Sequence, residues 1–212
     1  MWPTEQNREA WERRFHLEPP AARLPDGVRE RLPDVAGKHV LDLGCGTGET
    51  TAQLIALGAL VTGIDPSEEA LTAARERVPD AAFFQAELHD IPLQLRRRRF
   101  SLVYAGEGTL ARVPDLAALL STAAAALRKG GHFVLCERHP IAECVEPVGL
   151  RWRESYFDEG RARVGDIITT VLRSELTLEE VDELPAEKES GARLDQRLPA
   201  LLLVQARKTS AQ

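Results

Sequence analysis

The sequence predicts an α/β fold in which short apolar runs of strand length alternate with helical stretches. Three observations carry that reading. An apolar run over 39–43 leads into a loop with glycine at every second position and then a helical stretch over 49–57, closed by Gly58 just past the helix end. A second run over 59–64 ends in Asp65 and is followed by Pro66, Ser67 and a helical stretch through Arg77. Later, Asp115 caps a segment whose Leu116, Leu119, Leu120, Ala123 and Leu127 keep the 3.6-residue period, and a strand over 133–136 follows it.

Length and composition bound the reading. The 212 residues suit one domain, divided here into an N-terminal helical arm or lid over 1–34 and a main domain over 35–212. A hydrophobic fraction of 43% with 28% charged residues is globular, and a formal net charge of -6 argues against nucleic acid as the main partner. Cys45, Cys136 and Cys144 are odd in number and lack metal spacing, so they read as reduced thiols in a cytoplasmic protein that needs no metal. No apolar run approaches the roughly 20 residues that cross a bilayer, and Met1-Trp2-Pro3-Thr4-Glu5 is no signal peptide, so no membrane role is expected.

The glycine loop is the functional centre. Glycines there take positive φ and let a ligand lie against backbone N–H groups near a helix N-terminus. A dinucleotide fingerprint needs a third glycine three residues after the second, but the pattern is Gly44-x-Gly46-x-Gly48 with Glu49 in that place. An acid beside a pyrophosphate disfavours NAD. The block Leu41-Asp42-Leu43-Gly44-Cys45-Gly46-Thr47-Gly48 instead resembles the nucleotide-binding motif of class I S-adenosylmethionine (SAM)-dependent methyltransferases.

The rest of the chain is consistent with that resemblance. The arm holds a helical stretch over 5–16 with Ala10, Trp11 and Phe15 on neighbouring turns, then Pro19, Pro20 and Pro25, and a short helix over 26–32. Its aromatic stripe either packs on the body or, as in many enzymes of this family, closes over the cofactor with Trp11, Phe15 and Arg14 facing the ligand. Asp65, with Pro66 beside it, closes the second strand, where a carboxylate can accept from both ribose hydroxyls. A third strand over 81–85 leads to Glu87-Leu88-His89-Asp90-Ile91-Pro92-Leu93. The resemblance places Glu87 on the adenine amino group and the Leu88 N–H on the ring, with Asp90 as the competing acid and His89 as a solvated loop residue. Arg96 to Arg99 reads as a solvated turn, with recruitment of an anionic substrate as the other reading. A fourth strand over 100–104 carries Ser101 where the family often has Asp, and its carboxyl-end loop Ala105-Gly106-Glu107-Gly108 should border donor and acceptor. Glu107 could orient or deprotonate the acceptor, or stand in water as a loop acid. Gly130-Gly131 reads as the stop of the capped helix, with Lys129 where the family normally has Pro.

What the resemblance implies is a Rossmann-like, doubly wound, seven-stranded sheet, mostly parallel with the last strand antiparallel and helices on both faces. A helix over 163–173 and strands over 176–181 and 200–206 supply its end, around a polar loop over 185–197. The substrate-side insertion over 139–160 contains Trp152, Tyr156 and Phe157, which can wall a pocket, while Arg138, Arg151 and Arg153 could pair an acidic group. His139, at the end of the fifth strand, is the candidate general base; a loop histidine with a backbone partner is the alternative.

The expected function is transfer of a methyl group from SAM to a small-molecule acceptor, with S-adenosylhomocysteine (SAH) as product. Asp42 and the loop Gly44, Cys45, Gly46, Gly48 are expected to hold the amino acid end of SAM; Ala105 and Gly106 would add the adjoining wall. A non-catalytic SAM-binding protein, acting as sensor or partner subunit, is the second reading, and an NAD-linked oxidoreductase the third. The active form is expected to be a monomer or homodimer.

Overall fold

The computed structural model of the chain describes residues 24–97, 100–113, 115–146, 151–185 and 197–209. The helix expected over 5–16, part of the arginine run and most of the loop over 185–197 lie outside them. The described residues form one seven-stranded sheet: β1 (His39–Leu43), β2 (Leu60–Asp65), β3 (Ala82–Gln85), β4 (Phe100–Ala105), β5 (Leu127–Arg138), β6 (Leu176–Pro185) and β7 (Pro199–Lys208), in the order β3-β2-β1-β4-β5-β7-β6. The first five strands pair in parallel, and β7 runs antiparallel to both β5 and β6. The order reverses beside β1, which Val40 places between Val61 of β2 and Leu102 of β4, so the loop after β1 opens at the switch point where open α/β sheets bind ligands.

The central strands have side chains buried on both faces, as βαβ crossovers require. Leu41, Leu43, Phe133, Leu135 and Val204 face one core with Leu119 and Leu120 of α5 (Leu116–Ala126) and Ile167 and Val171 of α6 (Val164–Leu172). Val40, Val61, Leu102, Val134 and Leu203 face the other, with Leu54 of α2 (Glu49–Ala56) and Leu24 and Val28 around α1 (Asp26–Arg29). Ser67 caps α3 (Glu68–Arg77) by accepting from Ala70 N at 3.2 Å, and α4 (Leu93–Arg96) follows β3. Among the described residues, no helix is long and apolar enough to cross a membrane.

One boundary departs from expectation. Helix α5 ends at Ala126, Leu127 already has extended dihedrals, and β5 starts there, so Gly130 and Gly131 lie inside the strand. Gly130 has φ 73, and the register against β4 shifts between Phe100 and Leu102. The glycine pair thus bends an irregular strand start and does not stop the helix.

Candidate functional site

The loop after β1 is tied to β2 by its own backbone: Gly44 N and Cys45 N both donate to Ile64 O, at 2.8 and 3.0 Å. Gly44 has φ +79, and a Cβ there would stand 2.9 Å from Thr109 Oγ1 and 3.5 Å from Leu88 Cδ1, so three strand ends converge on it. Gly48, the N-cap of α2, packs against α3, a Cβ on it meeting Ala74 at 3.2 Å. Gly46, with φ +53, has nothing within 4 Å of that position: its outer face is open. Glu49 turns away from that opening to pair with Arg77 at 2.7 Å and to accept from the Thr47 hydroxyl. The Cys45 thiol is buried and raised by burial and by the Asp42 and Asp65 carboxylates, which makes it inert at neutral pH.

Two buried carboxyls lie under the loop. Asp42 is 1% exposed and accepts from Thr51 Oγ1 at 2.6 Å; burial pushes its carboxyl up to about 7, and Asp65 adds to the rise. Asp65 is fully buried. Its Oδ1 accepts from Ser67 N at 2.9 Å, and its Oδ2 from Gly46 N at 3.0 Å and from an Arg112 guanidinium N–H at 2.8 Å. Pro66 follows, its carbonyl held by Gln85 Nε2 at 3.0 Å. Two buried carboxyls thus lie beneath a glycine backbone whose outer face is open.

The loop after β3 splits the two residues expected at adenine. Leu88 is fully buried, its side chain packed under Gly44, whereas Glu87 is exposed. Asp90, the competing acid, is paired with Arg96.

Beyond the carboxyl ends of β4 and β5, Ala105 is buried and Gly106 lies close to Tyr104, a Cβ on it meeting the Tyr104 ring at 3.2 Å. Glu107 reaches water, yet it stands among enough protein for burial to raise its carboxyl, against the lowering effect of Arg138. Glu137, buried at the end of β5, accepts from Gly108 N at 2.9 Å and Leu110 N at 2.7 Å, so one carboxyl group grips the backbone on the far side of Glu107. Burial pushes Glu137 up to about 8, with those two N–H donors acting the other way. Sequence reasoning passed over both Glu137 and Arg112. The alternation of β5, with Leu135 facing the core, was a signal for the first; no local signal marks the second.

His139 is only 4% exposed, and both ring nitrogens are engaged: Nε2 lies 2.7 Å from Glu183 Oε1, and Nδ1 accepts from Ile141 N at 3.1 Å. Both ring nitrogens of His139 thus have partners in this structure, one of them a backbone N–H. In the insertion, Trp152 and Phe157 are 66% and 75% exposed, Arg151 and Arg153 are also exposed, and the Tyr156 hydroxyl accepts from Val164 N at 3.1 Å. Of the aromatic residues in that segment, Trp152 and Phe157 thus lie at the surface and Tyr156 is half-buried. Among the described residues, no cluster of His, Cys, Asp or Glu has the arrangement of a metal site.

Several known proteins are similar to this chain. A family model described as a methyltransferase domain matches residues 40–131. An uncharacterized methyltransferase of Synechocystis sp. is 35% identical over 129 residues, covering 60% of this chain and 56% of that protein. A trans-aconitate 2-methyltransferase of Paracidovorax citrulli is 52% identical over 61 residues, 27% of this chain and 23% of its own. The chain thus spans about half or less of these curated relatives. A solved S-adenosylmethionine-dependent methyltransferase from Mesorhizobium loti is 30% identical, with a TM-score of 0.70 over 85% of this chain and 95% of that one.

Proposed function

Because the chain belongs to the class I SAM-dependent methyltransferases, we propose that it methylates a small-molecule acceptor and releases SAH. The observation that carries the reading is the placement of buried Asp65, 3.0 Å from Gly46 N, under a glycine whose outer face is open. In this reading the backbone from Gly44 to Gly48 and the Asp42 carboxylate hold the amino acid end of the donor. Asp65, with Pro66 beside it, takes the ribose, Leu88 and Glu87 border the adenine, and Ala105 and Gly106 form the adjoining wall.

When bound, SAM supplies an already electrophilic methyl group, so the protein's main task is alignment. In this reading Glu107 orients an acceptor or takes its proton; supporting it are its position after β4, the hold of Glu137 on Gly108 N, and the burial that raises its carboxyl. His139 acts in this scheme as a brace between β5 and β6. A small acceptor agrees with the net charge of -6 and with the small acid named for the Paracidovorax relative.

Calorimetric titration with SAM and SAH, followed by detection of SAH after incubation with small carboxylic acids, phenols and amines, tests the proposal. SAH binding with SAH production on at least one acceptor is expected. Absence of donor binding overturns the reading, and binding without turnover on any acceptor moves it to the sensor or partner-subunit alternative.

A further inference from the structure

Asp65 has no exposed surface, and its three donors within the protein differ in kind. Gly46 N and Ser67 N are backbone groups, fixed by the loop after β1 and by the capped start of α3, and neither can leave without unfolding its turn. The third donor is Arg112, a long side chain 37% exposed, which reaches across from the turn Leu110–Arg112 to lie 2.8 Å from Oδ2. That turn is anchored at two points and closed by a third bond of its own. Thr109 Oγ1 donates to Leu43 O at 3.2 Å, Leu110 N to Glu137 Oε1 at 2.7 Å and Arg112 N to Thr109 O at 3.0 Å. The guanidinium can therefore rotate away while its backbone stays in place.

We propose that Arg112 is an affinity-setting residue of the donor site: its guanidinium and the ribose hydroxyls compete for the Asp65 carboxylate, and donor binding exchanges one for the other. The inference rests on reading Asp65 as the ribose acceptor. A carboxylate that already accepts from two backbone N–H groups and a bound guanidinium has little capacity left for a diol. Removing one partner of a buried pair leaves the other charge uncompensated, so without Arg112 the hydroxyls would bind to a carboxylate in need of donors. The exchange lowers donor affinity and equally eases release of the spent nucleoside, and it sends Arg112 toward solvent on the segment that also carries Glu107.

Adenosine is the discriminating probe, because it is uncharged and carries the ribose without the amino acid end. Calorimetric titration of adenosine and SAH into the unaltered protein, Arg112→Met, Arg112→Lys and Asp65→Asn, each shown to be folded by thermal melting, gives the test. Arg112→Met should tighten adenosine by about tenfold, the effect of removing a competitor of about 1.4 kcal/mol, with Arg112→Lys in between. In the unaltered protein adenosine affinity should rise modestly with NaCl, since salt screens the guanidinium, 37% exposed, although its partner Asp65 is buried, and that dependence should vanish in Arg112→Met. Unchanged or weaker adenosine binding by Arg112→Met overturns the competition while leaving the donor site standing. Asp65→Asn binding SAH as well as the unaltered protein overturns the ribose assignment, and with it this inference. A protein that binds no SAH removes the methyltransferase reading altogether.

Discussion

Asp42 carries the proposed link between the fold and the donor at the scale of one residue. Its carboxyl sits at the end of β1 with Thr51 of α2 donating to it, and burial holds it up to about 7, against an ordinary value of 3.8. Pairing with the ammonium of the donor requires the charged form, so affinity for SAM and SAH should climb as pH rises toward and past about 7. Adenosine, which lacks the ammonium, should show no such climb. Asp42→Asn should weaken SAH by at least about tenfold at pH 8, as expected for loss of a charge-assisted contact, and flatten its pH profile. Calorimetry across pH checks this, and a SAH affinity independent of pH in the unaltered protein would remove Asp42 from the site. Such a residue is legible in sequence as an acid two positions before a glycine turn. Its partner Thr51 is not, because a buried threonine in a helix has no pattern of its own. The same holds for Arg112 and Asp65, and for His139 and Glu183, pairs 47 and 44 positions apart that only the folded sheet brings together.

At the scale of elements, the glycines of the loop after β1 separate backbone demand from ligand space. Gly44→Ala would put a Cβ 2.9 Å from Thr109 Oγ1 at φ +79, so it should cost stability, about 1–3 kcal/mol, as well as donor binding. Gly46→Ala has open space around its Cβ, so it should fold with a smaller loss, yet bind SAH much more weakly because the methyl group enters the ligand's place. Urea unfolding and SAH titration on both variants check the contrast; equal SAH affinities for Gly46→Ala and the unaltered protein would contradict it. The loop after β4 depends on Glu137. A raised acid favours the folded state while protonated, so its contribution is complete below the ordinary 4.5 and is lost as pH rises to about 8. The Tm of the unaltered protein should therefore fall across that window more than that of Glu137→Gln, and parallel curves would refute the assignment. Elements bounded by strong local signals, such as β1 between a charged turn and a glycine, were legible residue by residue. The start of β5 was not: Gly130-Gly131 reads as a helix stop, whereas the sheet pairs Leu127 with Phe100 and recruits the chain as strand four residues before Gly131.

The largest-scale question is how the N-terminal arm or lid over 1–34 relates to the main domain. In the folded chain the described part of that segment is built into the core. Leu24 and Val28 are buried with Val40, Leu102, Leu184 and Leu203, and Leu24 N donates to the Gln53 side chain at 3.1 Å. The same segment grips the far end of the chain: Arg31 Nε lies 2.7 Å from Asp182 of β6, and Gln205 Nε2 of β7 donates to Arg31 O at 3.0 Å. Residues 24–31 and strands β6 and β7 thus close one face of the sheet together, beside β5, whose pairing with β7 is antiparallel and nonlocal. Burying two aliphatic side chains of this size is worth about 3–6 kcal/mol, a large part of the roughly 5–15 kcal/mol that stabilises an ordinary domain. A chain beginning at Val35 should consequently unfold at a much lower urea concentration than the full chain. Val28→Ala should reproduce about 1–3 kcal/mol of that loss, a typical cost for emptying a buried aliphatic site. Combined with Leu184→Ala, whose side chain shares its cluster, Val28→Ala should cost an amount that differs from the two separate losses added together. If the shortened chain instead kept the midpoint of the full one, residues 24–34 would be a removable cover and the boundary at 34 a true domain border.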